Sequence, residues 1–505
     1  MLNGLKNATN VAYTENGARA YKTTKSAVLD MFAQGGALRQ RSESDIISMY
    51  TKAFAENPLL AMKLLFYLRD VRGGQGERRT FRTIVKYMAN NHPQAVSKNL
   101  WLFPHFARWD DLYELVGTKL EGEAFDLIRE QFYNDLSTNQ PSLLGKWLKS
   151  ENASSPITRK LGRKTREVLG LSPKKYRKAL TDLRQRINIV ETQMSQKEFS
   201  TIDYSKLPSQ AGLRYRQAFF RNDLERYTEF LEALKTGKTV DGKEVKINTA
   251  TLYPYQIVAK IPLTGNMVYR GGKYYTNFTN VAQQEIDVLN AMWDNLPNYF
   301  GDKVENSIAV VDTSGSMTSN NGLPIQTAIS LGIYTAERNR GPYHNHFITF
   351  SGSPELVEIQ GSNIVEKVRN MSQANWNGNT NIEAVFNLIL QTAIKNRLSQ
   401  DDMIERVYII SDMEFDACAT NRSQTLFEAI RLRYANAGYT MPNLVFWNVN
   451  ARNAQFPMTM TDTGVQLVSG HSPSIFTNLL KGKMLGAYEM MLQVLEDARY
   501  SEIRV

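Results

Sequence analysis

From Ser42 to about Leu234 the apolar positions recur at three- and four-residue spacing. That period predicts helices over Ser44–Ala55, Pro58–Leu68, Glu77–Asn90, Pro93–Leu102 and Arg226–Leu234. Turn-forming stretches, Arg72-Gly73-Gly74-Gln75-Gly76 and Asn90-Asn91-His92-Pro93, separate them at the intervals of helical hairpins. Successive antiparallel helix pairs predict an α-helical repeat of the HEAT-like solenoid type, although no fixed sequence period runs through it. The Gly-rich stretch is not a phosphate cradle, because it lacks a Lys-Ser/Thr ending and follows a helix rather than a strand.

Residues 236–275 carry the turn dipeptides Asp241-Gly242 and Gly271-Gly272, which predict a hairpin excursion before a helix at Gln283–Leu296. Past a break at Pro297–Glu305 the period changes. Short apolar runs (Ser307–Val311, Phe347–Phe350, Arg406–Ile410, Asn443–Val449) alternate with helical stretches (Ile325–Arg338, Thr380–Ile394, Thr425–Tyr434). Strands separated by helices imply parallel crossovers and an open, Rossmann-like α/β sheet covered on both faces. The expected organisation is a helical module over residues 1–300 and an α/β domain over 301–505.

Composition narrows the class. The 505 residues are 42% hydrophobic and 22% charged, and no run approaches the ~18 apolar residues of a membrane span, so a globular, non-membrane chain is expected. Residues 1–26 lack the apolar stretch of a secretion signal. A single cysteine, Cys418, excludes an internal disulfide and a Cys-rich zinc site, and points to a cytoplasmic location. Sixty Lys and Arg against fifty Asp and Glu give a net +10, unevenly placed: residues 301–505 carry −4 and residues 1–300 carry +14. The segment Arg159–Ile187 alone carries +9.

That segment predicts two amphipathic helices separated by Gly170-Leu171-Ser172-Pro173, with Gly170 ending the first and Ser172-Pro173 starting the second. On the first, Arg159, Lys160, Arg163, Lys164 and Arg166 share one arc, opposite Leu161, Thr165, Val168 and Leu169. On the second, Tyr176, Ala179, Leu180, Leu183, Ile187 and Val190 form an apolar face. This leaves Lys174, Lys175, Arg177, Lys178, Arg184 and Arg186 to face water. A solvated helix face is the plain alternative. The near absence of acidic residues within the segment favours a polyanion, and specifically nucleic acid.

In the α/β domain, Ile308-Ala309-Val310-Val311 runs into Asp312-Thr313-Ser314-Gly315-Ser316, and Ile409-Ile410-Ser411 into Asp412. A further loop, Trp376-Asn377-Gly378-Asn379-Thr380-Asn381, precedes a helix. Ligands of open α/β sheets gather outside the carboxyl ends of the strands, where these residues emerge. Catalysis has no evident engine. The five histidines (His92, His105, His344, His346, His471) follow no triad order, and Ser314 stands where an aspartyl-phosphate transferase would need a second carboxylate. A protein without enzymatic activity is expected.

The three loops resemble the metal-ion-dependent adhesion site of von Willebrand factor A domains. Position by position, the resemblance implies Asp312, Ser314, Ser316, Thr380 and Asp412 as ligands. The second loop departs from it with Gly-Asn-Thr, and Met413-Glu414 replaces the usual Asp-Gly turn. Hard oxygen ligands suit Mg²⁺ first, with Mn²⁺ or Ca²⁺ as alternatives, and disfavour zinc. One open coordination position would attract an outside carboxylate or phosphate. A Ser and an Asp merely capping the next helix are the structural alternative.

Helices followed by an A domain resemble the TROVE, or Ro autoantigen, family. The stretches Phe66-Tyr67-Leu68-Arg69-Asp70-Val71-Arg72-Gly73-Gly74-Gln75-Gly76-Glu77-Arg78 and Phe106-Ala107-Arg108-Trp109-Asp110-Asp111-Leu112 carry the likeness. Gly145-Lys146-Trp147-Leu148 and Asp203-Tyr204-Ser205-Lys206-Leu207-Pro208 place the chain nearest to one branch of it. The resemblance implies a ribonucleoprotein: a ring of helical repeats closed by the A domain, structured noncoding RNA on the basic surface, and single-stranded 3′ ends of misfolded RNA in the hole. Tyr176, Tyr204, Tyr215 or Trp147 are candidates to stack on unpaired bases. Arg69-Asp70 and Trp109-Asp110-Asp111 read as structural. The alternative function is a metal-dependent adaptor whose A domain captures a protein partner.

Overall fold

In the computed structural model the chain folds into two units, neither of them a single segment. One comprises residues 1–57 and 252–498, the other residues 58–251 and 499–505. The structure describes residues 9–239, 241–263, 265–270, 273–374, 380–416, 426–481 and 485–505, without the side chains of 265–270, 273–278 and 426. Residues 1–57 and 252–300, which the sequence pattern groups with the helices, therefore lie in the α/β unit.

The α/β unit opens with an antiparallel hairpin of β1 (Val11–Tyr13) and β2 (Arg19–Tyr21). Two helices follow, Ala27–Gly35 and Glu43–Glu56, each started by a serine, Ser26 or Ser42, whose side chain accepts an amide of the first turn. Within the expected excursion, β3 (Gly265–Arg270) pairs antiparallel with β4 (Lys273–Phe278); the Gly271-Gly272 turn lies outside the described residues. The sheet is built from β5 (Ser307–Val311), β6 (His346–Thr349), β7 (Leu356–Glu358), β8 (Arg406–Ser411), β9 (Asn443–Asn448) and β10 (Val465–Ser469). Their order is β10-β9-β8-β5-β6-β7, parallel throughout except for β7, which runs antiparallel to β6.

Every residue of β5, β8 and β10 is buried, and β5 and β8 accordingly read as apolar runs rather than alternating ones. The register pairs Val311 with Ile410, and Ser411 with Asn448, so β5, β8 and β9 end at one edge with their loops side by side. The helix Ser319–Arg338 begins with three left-handed residues, Asn320, Asn321 and Gly322, at φ 57°, 57° and 76°. Asn and Gly are the types that tolerate this backbone, and Pro324 then sets the regular helix.

The other unit is helical: Pro58–Arg69, Arg78–Asn91, Glu121–Ser137, Pro156–Val168, Pro173–Arg186, Ser209–Asn222 and Leu224–Thr236 are its longer helices. The expected helix over Pro93–Leu102 is two pieces, Pro93–Ser97 and a 3₁₀ turn at Leu100–Leu102. Phe66, Phe81, Phe103 and Phe106 form a buried aromatic cluster, with Phe81 and Phe103 5.4 Å apart and Phe66 and Phe106 5.5 Å apart. The Gly-rich loop folds back on its own helix: Gln75 N–H donates to the Tyr67 carbonyl at 3.1 Å and Glu77 N–H to Leu68 at 2.7 Å. A Cβ on Gly74 would sit 2.0 Å from the Tyr67 carbonyl oxygen, so close approach of two backbones requires glycine there.

Arg69 and Trp109-Asp110-Asp111 are interior. Asp111, fully buried, accepts from Arg69 Nε and Nη2 at 3.0 and 2.7 Å, from Arg82 Nε at 2.5 Å and from the Arg108 amide at 3.1 Å. Asp70 accepts from Arg499 Nη2 at 2.8 Å and the Tyr500 hydroxyl at 3.1 Å. Among the described residues no helix is long and apolar enough to cross a membrane.

Candidate functional site

The two basic helices are set by local chemistry. Ser155 accepts the Thr158 amide at 3.4 Å ahead of Pro156, and Ser172 accepts the Lys175 amide at 3.3 Å ahead of Pro173. Gly170 at φ 64° turns the chain between them. The first helix buries Gly162 and Thr165, and Thr165 shares a 2.9 Å hydrogen bond with the Tyr113 hydroxyl. The second buries Tyr176, Leu180 and Leu183.

The structure divides the ten candidate cations. Lys160, Arg163, Lys174, Lys175, Arg177 and Lys178 are exposed and make no side-chain ion pair or hydrogen bond among the described residues. The other four are half-buried and engaged. Arg159 donates to the carbonyls of Ala153 and Ser154 at 3.0 and 2.7 Å, and Lys164 pairs with Glu121. Arg166 pairs with Glu151 at 2.9 Å and Glu167 at 3.1 Å, while Arg184 donates to the carbonyls of Gly145 and Leu148, both at 3.0 Å. Arg186 is likewise held, against Asp182 at 2.9 Å. Arg184 and Arg186 thus do not project freely into water as the helical arc predicts, because other segments supply carbonyls that the arc cannot show, those of Gly145 and Leu148 to Arg184 and that of Thr138 to Arg186.

The stacking candidates divide too. Tyr176 and Tyr204 are buried, their hydroxyls donating to the Lys149 carbonyl at 2.8 Å and to Asp223 at 2.6 Å, so neither offers a free ring face. Tyr215 and Trp147 are half-buried, and the Arg108 guanidinium stands 4.9 Å over the Trp147 ring.

In the α/β unit, β5 and β8 deliver Asp312 and Asp412 from adjacent strand ends. Asp312 is fully buried and accepts the Ser314 amide at 2.8 Å and the Ser411 hydroxyl at 2.6 Å. The Ser314 and Ser316 hydroxyls are 3.1 Å apart. Burial, and then the neighbouring Asp412 carboxylate, push the Asp312 carboxyl up to about 6. Two adjoining carboxylates with hydroxyls beside them are donors that fit a hard divalent cation, whose charge would offset their repulsion. Among the described residues no three His, Cys, Asp or Glu gather as a metal group, so such a cation would depend on the hydroxyls.

Thr380 lies at the segment after β8: its hydroxyl donates to the Glu414 carbonyl at 2.8 Å and accepts from Asn16 Nδ2 at 3.1 Å. Trp376, Asn377, Gly378 and Asn379 of its loop, and Cys418, lie outside the described residues. Met413, following Asp412, is left-handed at φ 68°, the backbone that a turn glycine would adopt without strain. Glu414 is buried and accepts from the Glu15 amide at 2.7 Å, Asn453 Nδ2 at 2.8 Å and Gln455 Nε2 at 2.7 Å.

Four participants escape sequence reasoning: Ser411, Arg452, Glu15 and Asn16. Arg452 donates to Asp412 Oδ2 through Nε at 3.2 Å and lies 2.8 Å from Glu15. Ser411 is signalled by its place just before Asp412. Glu15 and Asn16 lie hundreds of residues from their partners, and no local pattern marks them.

The fold and site define a two-unit protein, a helical unit with an exposed cationic face and an α/β unit with an oxygen-rich strand-end cluster. Two models of domains of unknown function match it, DUF2828 over residues 14–143 and 130–303, and DUF7788 over residues 306–502. An uncharacterized protein, L728, of Acanthamoeba polyphaga mimivirus is 32% identical over 532 residues, spanning 96% of this chain and 87% of that protein. The chain belongs to the DUF2828 family. It is similar also to the crystal structure of the Deinococcus radiodurans Ro (RSR) protein, at 14% identity and a TM-score of 0.39, over 97% of this chain and 96% of that one.

Proposed function

We propose that this protein is a Ro-like RNA-binding protein without enzymatic activity, which holds structured or misfolded noncoding RNA on the face of its two basic helices. The observation that carries the reading is the set of six exposed cations that have no partner among the described residues: Lys160, Arg163, Lys174, Lys175, Arg177 and Lys178. One sign of charge on neighbouring helices repels itself, and phosphates relieve that repulsion while releasing counterions. Arg159, Lys164, Arg166 and Arg184, half-buried and each held by a partner within the unit, frame this face, and the six exposed cations are its first phosphate contacts. Trp147 and Tyr215 are the remaining aromatic candidates for unpaired bases, including those of a single-stranded 3′ end.

In the α/β unit, Asp312, Ser314, Ser316, Thr380 and Asp412 would hold a divalent cation, Mg²⁺ or else Mn²⁺ or Ca²⁺, which when bound supplies an open position for an outside carboxylate or phosphate. The test of the RNA reading is what the full-length chain carries on purification. The 260/280 absorbance ratio should reveal nucleic acid, sequencing should show enrichment of noncoding RNA, and alanine at all six cations should remove it. Protein free of nucleic acid, or cargo unchanged in the six-site variant, refutes the reading.

A further inference from the structure

The turn between β1 and β2 reaches over the strand-end cluster. Thr14 Oγ1 donates to the Phe415 carbonyl at 2.6 Å and accepts the Ala18 amide at 2.8 Å, and Gly17, at φ 85°, bridges to Asp416. Within this frame Glu15 Oε2 lies 2.8 Å from Arg452 Nη1, while Nε and Nη2 of the same guanidinium lie 3.2 and 3.1 Å from Asp412 Oδ2. Asn453 Nδ2 adds a 2.9 Å bond to Glu15 Oε1, and Asn16 Nδ2 reaches Thr380 Oγ1 at 3.1 Å. Two candidate ligands are therefore engaged by the chain itself. Asp412 carries a cation of its own, and Thr380, donating to Glu414 and accepting from Asn16, keeps a single lone pair.

We propose that Arg452 and the Glu15-Asn16 turn form a latch on the strand-end site, such that the closed latch and a divalent cation compete for Asp412. The inference rests on the cation reading above. A divalent ion at Asp412 would stand beside the guanidinium with like charge in a partly desolvated place, so one must leave. When Arg452 withdraws, Glu15 loses its cationic partner, and the turn is left with the neutral bonds of Thr14, Gly17 and Asn16, the bond from Asn453 to Glu15 Oε1 and the Glu15 amide's bond to Glu414. Competition is reciprocal: the factor by which the latch weakens the cation is the factor by which the cation opens the latch.

The test uses the full-length chain and Mn²⁺, with free Mn²⁺ read by paramagnetic resonance and the turn read by deuterium uptake of residues 11–21. Arg452→Gln should bind Mn²⁺ at least about fivefold more tightly than the unaltered chain, and Asp312→Asn should abolish binding. Mn²⁺ should raise uptake over residues 11–21 in the unaltered chain. In Arg452→Gln, uptake should be high from the start and indifferent to Mn²⁺, a response that mere removal of a positive charge does not produce. If that variant does not fold, the Mn²⁺-dependent uptake of the unaltered chain decides alone. Mn²⁺ binding with uptake unchanged overturns the latch and leaves the cation site standing. No Mn²⁺ binding in either form overturns both.

Discussion

Replacing Asp111 by alanine is expected to be among the most damaging single changes in the helical unit. Its carboxylate is fully buried and takes four hydrogen bonds, three of them from the guanidinium groups of Arg69 and Arg82. Burial pushes this carboxyl up, but Arg69 and Arg82 outweigh it and hold Asp111 below the usual carboxylate range. Truncation leaves Arg69, only 2% exposed, facing the vacated position with its charge uncompensated there. Removing one partner of a buried ion pair costs about 3–5 kcal/mol, which in a unit of about 200 residues lowers its Tm by roughly 6–20 °C. The assay is calorimetry paired with deuterium exchange of the helix Pro58–Arg69, so that the loss is assigned to this unit. Asp126→Ala is the control, because its pair with Arg129 is at the surface, and such pairs contribute about 0–1 kcal/mol. A loss for Asp111→Ala no larger than that of the control would refute the argument.

Other expectations follow from the same contacts. His471 is buried, 2.8 Å from the Thr327 hydroxyl, and burial, then the charge of Arg39, hold its pKa well below 6.5. The unfolded chain binds the proton more readily, so this histidine's stabilising contribution, complete above 6.5, is lost as pH falls below it, at up to about 1.4 kcal/mol per pH unit. Urea midpoints between pH 7 and 5 should fall, and fall less in His471→Asn. Gly74→Ala sets a Cβ against the Tyr67 carbonyl and should destabilise the helical unit by about 1–3 kcal/mol or more, measured by urea unfolding. Arg184→Gln loses its bonds to the Gly145 and Leu148 carbonyls and should cost about 1 kcal/mol of stability while leaving the salt dependence of RNA binding unchanged.

Much of this architecture is written locally. The strands β5, β8 and β9 announce themselves as apolar runs because both their faces are buried, and the serines and Pro173 that start the basic helices act within four residues. β7, three residues long, and β10, with Gln466 at its second position, lack that signature. The helical arc separates cations from apolar residues but cannot tell a free cation from a bound one. Glu151 and Glu121, which hold Arg166 and Lys164, arrive from other segments. The same limit hid Tyr176 and Tyr204 in the interior, and it concealed the joining of the first 57 residues to the α/β unit through contacts such as Glu15 with Arg452. What chain distance hides is whatever pairing decides.

The central claim is that the six exposed cations of the basic helices meet phosphates, and salt reads it directly. Each neutralised phosphate lowers log affinity by about 0.7–0.9 per decade of salt, so six contacts predict a slope near −4 to −5 and roughly a thousandfold loss between 50 and 200 mM. Fluorescence anisotropy with a labelled noncoding RNA should give that slope for the unaltered chain. With Lys174, Lys175, Arg177 and Lys178 changed to alanine, the slope should be shallower by about three units. An affinity indifferent to salt, or one whose slope survives the four substitutions, contradicts the account.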